Sequence, residues 1–354
     1  MEPIFNRSMR TEIDSTSNSF IDRENELQLC VNSMLTGEKA ILIGERGVGK
    51  TALVRSVQRH LIENYESVLP IYISFSPVCF DQNTKTGYVY HLLISLIHYI
   101  WTNTLGYKLT DLYDDNLPFQ NELTTQVQKM HRLARITNHN YIVQQQKELE
   151  AQFFIKGNAQ QSHEHEYNFN PLSVQELIGL FCECCNDLID YTAVKTIAFL
   201  CDEANLLNDR QQLEIERELS NIFPMLSCSF LYVASTSTTT EYRNPHTEFF
   251  DEVIHLKGFY SVEHSKRLLQ NRILQKDLIE VEENVYGLLH ESTHGNPRDL
   301  IELMGAIIQS HAIETTPKIE ITNSAAKTAC ERYLIEKEHY QKMIATYSLS
   351  TEKM

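Results

Sequence analysis

Gly44-Glu45-Arg46-Gly47-Val48-Gly49-Lys50-Thr51 decides how the rest of this chain is read. The apolar run Ala40-Ile41-Leu42-Ile43 precedes it, and a helix-patterned stretch, 52–61, follows it. This is the pattern G-x-x-x-x-G-K-[ST] set between a strand and a helix, the context that a phosphate-binding P-loop requires. Glycines let the backbone curl until successive N–H groups face phosphate oxygens. The helix that follows adds its positive N-terminal end. Lys50 is then placed to reach the β- and γ-phosphates, and Thr51 to offer its hydroxyl to Mg²⁺. Gly44, Glu45, Arg46, Gly47, Val48, Gly49, Lys50 and Thr51 are together the expected nucleotide cradle.

The strand at 39–44 is the first of several. Apolar runs at 69–75, 195–201, 229–234 and 253–256 read as further strands. Helical spacing covers about 22–35, closed by Gly37, then 87–101, 173–191 and 208–223, the last stopped by Pro224. Asp22 is the expected N-cap of the first helix. From residue 261 the pattern is helical throughout, over about 261–276, 282–293, 297–312 and 323–346. Strands alternating with helices predict a parallel sheet, and the closing run of helices predicts a separate bundle. The expected fold is α/β: a P-loop parallel sheet sandwiched by helices, followed by a small all-helical lid. The expected division is a flexible or loosely docked lead at 1–19, a nucleotide-binding domain at 20–258, a lid at 259–346 and a tail at 347–354. Lys50 and Asp202 lie much further apart than a compact P-loop core needs, so about 105–170 reads as an insertion. Within it, 121–156 is glutamine-rich, with apolar positions too sparse for a core helix, and 157–170 is loop-like.

At 354 residues and 42% hydrophobic, the chain can bury a sizeable core. No apolar run is long enough to span a bilayer, and Met1 to Ser19 holds no secretory segment. A cytoplasmic protein without membrane attachment is expected. Cys182, Cys184 and Cys185 stand on an apolar helix with no second C-x-x-C to complete a zinc site, so they read as reduced core thiols. His163-Glu164-His165-Glu166 lies in a polar stretch and reads as a solvated loop. The net charge of −16 argues against broad, sequence-independent DNA binding. In the insertion, Lys129, Arg132, Arg135, Lys147 and Lys156 interleave with Tyr141, Phe153 and Phe154; a solvated helix is the first reading, a nucleic-acid or partner contact the second.

A second motif carries chemistry. The strand 197–201 ends in Asp202-Glu203, which sets two carboxylates at the C-terminal edge of a parallel sheet, where ligands bind. Asp202 is expected in the Mg²⁺ shell near Thr51, and Glu203 is expected to polarise the attacking water.

On Gly44–Thr51, Asp202-Glu203 and the helical C-terminal part, the chain resembles the AAA+ ATPases. Within them it is most similar to the branch of origin-recognition and helicase-loading ATPases, transposon target selectors and STAND signalling ATPases. Phe20-Ile21-Asp22-Arg23-Glu24-Asn25-Glu26-Leu27 is similar to that branch's opening F-x-G-R-x-x-E-L, with Asp22 at the usual glycine. The resemblance, over about 18–100 and 172–346, implies that Phe20, Ile21 and Arg23 lie by the adenine. It implies a polar sensor at Ser235 or Thr236, and a second sensor at Arg298, in Gly295-Asn296-Pro297-Arg298, reaching the γ-phosphate. It implies an arginine finger from a neighbouring subunit at Arg243, with Arg210 and Arg217 as rivals. ATP and Mg²⁺ are the implied cofactors, ATP hydrolysis the reaction, and a homo-oligomer that recruits or regulates a separate effector the setting, with bacterial defence or a mobile element as its context. The alternative is a DNA-loading or target-selecting ATPase that assembles on nucleic acid.

Overall fold

Five strands form one parallel sheet. The computed structural model describes residue 5 and residues 23–74, 87–108, 111–112, 122–133, 172–202, 228–235, 250–311 and 318–351. The strands are β1 (Lys39–Gly44), β2 (Val68–Ser74), β3 (Thr196–Asp202), β4 (Ser229–Ser235) and β5 (Glu252–Leu256). Their order is β2-β3-β4-β1-β5, and every neighbouring pair is parallel.

Because side chains alternate along a strand, the sheet has two apolar faces and both are covered. Ala40, Leu42 and Leu200 pack against α1 (Glu24–Thr36) and α2 (Lys50–Asn64). Ile41, Ile43 and Phe199 pack on the other face, against α3 (Gly87–Tyr99), α4 (122–133) and α5 (Val174–Thr192). Burial on both faces explains why β1 and β3 read as unbroken apolar runs. Local signals set the helix ends. Gly37 takes the left-handed conformation at φ 82° and closes α1 through its N–H to Ser33 O. Ser173 and Glu176 form a reciprocal capping box at the start of α5. Cys184 and Cys185 of α5 are buried as free thiols, and burial pushes both thiols up.

A second core follows the sheet. It holds α6 (Val262–Arg272), β6 (Ile279–Val281), α7 (Glu283–Thr293), α8 (Pro297–His311), β7 (Ile319–Ile321) and α9 (Asn323–Thr351), closed around Leu269, Val285, Leu289, Leu300 and Met304. The lid is therefore not purely helical: β6 and β7 pair in parallel, Ile279 opposite Ile319 and Val281 opposite Ile321. Three-residue strands are too short to show a period of two in the sequence.

Three other expectations change. The stretch expected to lack a core helix contains α4, whose Leu123, Val127 and Met130 are buried in the main core. Lys129 and Arg132 stand exposed on the same helix, as the solvated reading expects. The N-cap of α1 is Arg23, not Asp22, and no side chain caps that helix. Phe5, the described residue of the lead, is buried in the lid core and bridges to Ile273. The helix expected at 87–101 continues as a π-helical turn over Ile100–Thr104. No helix among the described residues is long and apolar enough to cross a membrane.

Candidate nucleotide site

All five strands run the same way, so their carboxyl ends share one edge. Register aligns Gly44 with Ser235 of β4 and with Leu256 of β5, and aligns Ser74 with Asp202. The octet leaves the sheet from between β4 and β5. A side chain at Gly44 would place its Cβ 2.4 Å from Leu256 O, so the close approach of β1 to β5 needs glycine. Gly47 and Gly49 turn the loop with φ 94° and 101°, which L residues rarely adopt. Gly49 is also the N-cap of α2, where no side chain caps the helix. The first N–H groups of α2 are thus left for the loop and its ligand.

Lys50 lies under this loop and is buried. Its ammonium donates to Gly44 O at 2.5 Å and to Glu45 O at 2.9 Å. Burial pushes its pKa down to about 8, against the pull of Asp202; the Arg298 charge pushes further down and Glu45 pulls up. Asp202, at the end of β3, is fully buried and accepts a hydrogen bond from the Tyr72 hydroxyl at 2.9 Å. Thr51, the second residue of α2, is exposed. A carboxylate and a hydroxyl beside a P-loop are hard oxygen donors, the ligand type that Mg²⁺ takes. These residues fit the ion: Asp202 and Thr51 would hold it, and it would supply charge to the phosphate oxygens.

The position of Lys50 has a pH consequence. Below pH 8 the ammonium is charged in both the folded and the unfolded chain, and the folded state bears the full cost of its burial. Between about 8 and 10.5, the ordinary value, the folded chain releases a proton that the unfolded chain keeps, so that cost fades as pH rises. Phosphate binding has the opposite sign, because a triphosphate favours the charged lysine. We expect nucleotide binding to take up a proton in that window and to weaken by up to about tenfold per pH unit. Calorimetry in buffers of different ionisation heat measures the uptake; affinity unchanged from about pH 7.5 to 9.5 would exclude it.

The lid reaches this loop through one short turn. Asn296 Nδ2 donates to Arg46 O at 3.0 Å, and the Arg298 N–H donates to Gly47 O at 3.3 Å. The same Asn296 caps α8, its Oδ1 accepting from the Arg298 N–H at 3.1 Å and the Asp299 N–H at 3.5 Å. A Cβ on Gly47 would come within 2.8 Å of Arg298 Cβ and 2.7 Å of Asn296 Oδ1. Below the turn, the Phe259 N–H donates to Gly295 O at 2.9 Å, and a Cβ on Gly258 would meet His294 O at 2.2 Å. Arg23 ties the other side: its guanidinium donates to Lys257 O at 2.5 Å and Val48 O at 3.4 Å, and lies over the Phe259 ring.

The structure thus brings together the octet, Asp202, Arg23 and Arg298. Ser235 is placed by its register with Gly44. Phe20, Ile21, Glu203, Thr236 and Arg243 lie outside the described residues, as do the rivals Arg210 and Arg217. Asn296 and Tyr72 belong to the site without standing in an expected role. An asparagine just before proline at a helix start is an N-cap signal and marks Asn296 in the sequence; nothing in the sequence marks Tyr72.

No family model matches the chain, and no curated protein matches it significantly. Solved structures do. The Orc1 protein of Aeropyrum pernix, solved in complex with DNA, is 15% identical, with a TM-score of 0.48 over 92% of this chain and 69% of that one. Two single-residue variants of RuvB from Thermotoga maritima are each 14% identical. One has a TM-score of 0.41 over 93% of this chain and 72% of that one. The other has a TM-score of 0.40 over 88% and 70%.

Proposed function

We propose that this chain is an AAA+-type ATPase that binds ATP with Mg²⁺ at Gly44–Thr51, hydrolyses it and works as a nucleotide-dependent switch on a partner. The observation that carries this reading is the convergence on one buried ammonium. Lys50 lies under a glycine loop and within electrostatic reach of Asp202 from β3 and of Arg298 from the lid. A strand-end carboxylate, a P-loop lysine and a lid arginine are the parts that phosphoryl transfer needs for metal binding, charge neutralisation and sensing of the terminal phosphate.

The roles follow. The loop N–H groups and Lys50 hold the phosphates, and Thr51 and Asp202 hold the metal. Glu203, next along from Asp202, takes the proton of the attacking water, and Ser235 or Thr236 orients that water. Arg298 contacts the γ-phosphate and so reports its presence to α8. Phe20, Ile21 and Arg23 flank the base. Arg243 of a neighbouring copy stabilises the transferring phosphoryl group, which makes turnover depend on a homo-oligomer. The output is recruitment or regulation of a separate effector, in a defence or mobile-element setting, which rests on analogy at the level of fold. The testing experiment is ATP turnover beside ATP retention in Glu203→Gln. Retained ATP with turnover lowered about a hundredfold is expected for loss of a general base; unchanged turnover would remove Glu203 from that role.

A further inference from the structure

Asp202 is fully buried, yet a metal-holding carboxylate must present one oxygen in a fixed direction. Its Oδ2 accepts from the Tyr72 hydroxyl at 2.9 Å. A carboxylate with one oxygen held in this way cannot rotate freely about its own Cβ–Cγ bond, so the direction of the second oxygen is set. Tyr72 is well placed for this by the sheet. Register puts Tyr72 opposite Leu200 and Ser74 opposite Asp202, so Tyr72 and Asp202 lie on the same face in diagonal positions. The gap between diagonal neighbours on adjacent strands is one that an aromatic side chain spans and a short one does not.

The tyrosine is itself held. The Arg55 guanidinium lies over its ring, 3.3 Å from the centroid. Arg55 stands on α2 four residues after Thr51, so both project from one side of the helix. A cation on a phenol ring face is attracted by the ring's quadrupole, and it draws electron density from the ring, which makes the O–H a better donor. The exposed arginine, the half-buried tyrosine and the buried aspartate thus form a line from the surface to the edge of β3.

We propose that Tyr72 is the positioning residue of the metal-holding carboxylate, and that Arg55 holds Tyr72 in place from outside. This rests on the nucleotide reading above. Partners that orient a metal ligand commonly change metal affinity by about 10–100-fold when removed.

The test compares Tyr72→Phe, Arg55→Met and the double variant with the parent chain. Phenylalanine keeps the ring beneath Arg55 and loses the hydroxyl; methionine covers the ring without charge. Each protein is loaded with a non-hydrolysable ATP analogue and titrated with Mn²⁺, and bound ion is read by electron paramagnetic resonance. Nucleotide affinity is measured separately in EDTA. Tyr72→Phe is expected to weaken Mn²⁺ about tenfold while leaving affinity in EDTA unchanged. Arg55→Met is expected to weaken Mn²⁺ by a smaller factor, about threefold, and to add nothing when combined with Tyr72→Phe, since it acts through the hydroxyl. Mn²⁺ affinity in Tyr72→Phe within about twofold of the parent would overturn the inference. Should that variant fail to fold, Arg55→Met carries the test, and unchanged Mn²⁺ binding there overturns it. A parent chain whose nucleotide complex takes up no Mn²⁺ would instead sink the metal reading itself.

Discussion

Lys50→Ala is expected to weaken ATP binding about a thousandfold while leaving the fold intact. The ammonium is buried beneath the loop and held by two carbonyls of that loop, Gly44 O and Glu45 O. A triphosphate arriving there meets a desolvated cation, and losing one partner of such a charge pair costs about 2–5 kcal/mol. Taking about 4 kcal/mol, at about 1.4 kcal/mol per decade, gives roughly three decades. The effect on stability is smaller because two terms oppose each other. Two carbonyls lose a donor, at about 1–3 kcal/mol for a buried group left unpaired. Against this, a lysine whose charge burial disfavours is removed, as its lowered pKa records. Thermal unfolding beside equilibrium binding of a fluorescent ATP analogue separates the two. Binding within about tenfold of the parent would mean that Lys50 does not meet the phosphates.

Gly295→Ala is expected to destabilise the junction between sheet and lid by about 3 kcal/mol. Gly295 has φ 68°, where an L residue is strained by about 1–2 kcal/mol. Its added Cβ would lie 2.4 Å from Phe259 O and 2.8 Å from Phe259 N, both backbone atoms that cannot swing aside. Overpacking of this kind costs about a further 1–3 kcal/mol. The bond from the Phe259 N–H to Gly295 O and the Asn296 contact on Arg46 O sit in the same turn, so strain there is felt at the P-loop. Denaturant unfolding of the variant is expected to show a lowered midpoint, and hydrogen exchange the first loss of protection at the start of α8. A midpoint unchanged from the parent would show that the turn has room that its backbone geometry does not suggest.

The parts of this molecule that can be read in one dimension are those with one-dimensional causes. β1, β3 and β4 are short apolar runs buried on both faces, whereas the outer strands β2 and β5 are only partly buried, with His255 exposed; β1 to β4 end at a glycine, a serine or an acid. The octet combines glycine geometry with a lysine at a fixed offset. Asp202 is the first acid after an apolar strand. α4 hides for a physical reason. Leu123, Val127 and Met130 do recur at helical spacing, but Thr124, Gln128 and His131 of the same helix are buried too. A polar stripe that the fold buries reads in the sequence as a solvated surface. The lid strands are too short to show their period. The site's supporting contacts are non-local: Asn296 to Arg46 spans 250 positions and Tyr72 to Asp202 spans 130. No motif of adjacent residues encodes such pairs.

The strand order has a consequence for how the protein is made on the ribosome. β1 carries the P-loop and is the first strand of that sheet to be synthesised, yet its two neighbours in the sheet, β4 and β5, are the last of it. The strand made directly after it, β2, sits at the far edge and pairs with β3. At about 5–20 residues per second, the P-loop strand waits roughly 10–40 s for both partners to emerge. During that interval β2 and β3 can pair, while β1 exposes an apolar strand with both edges open. Chaperone demand in translation should therefore fall on the segment that will later hold the phosphates, and slow codons placed between β3 and β5 would lengthen its exposure.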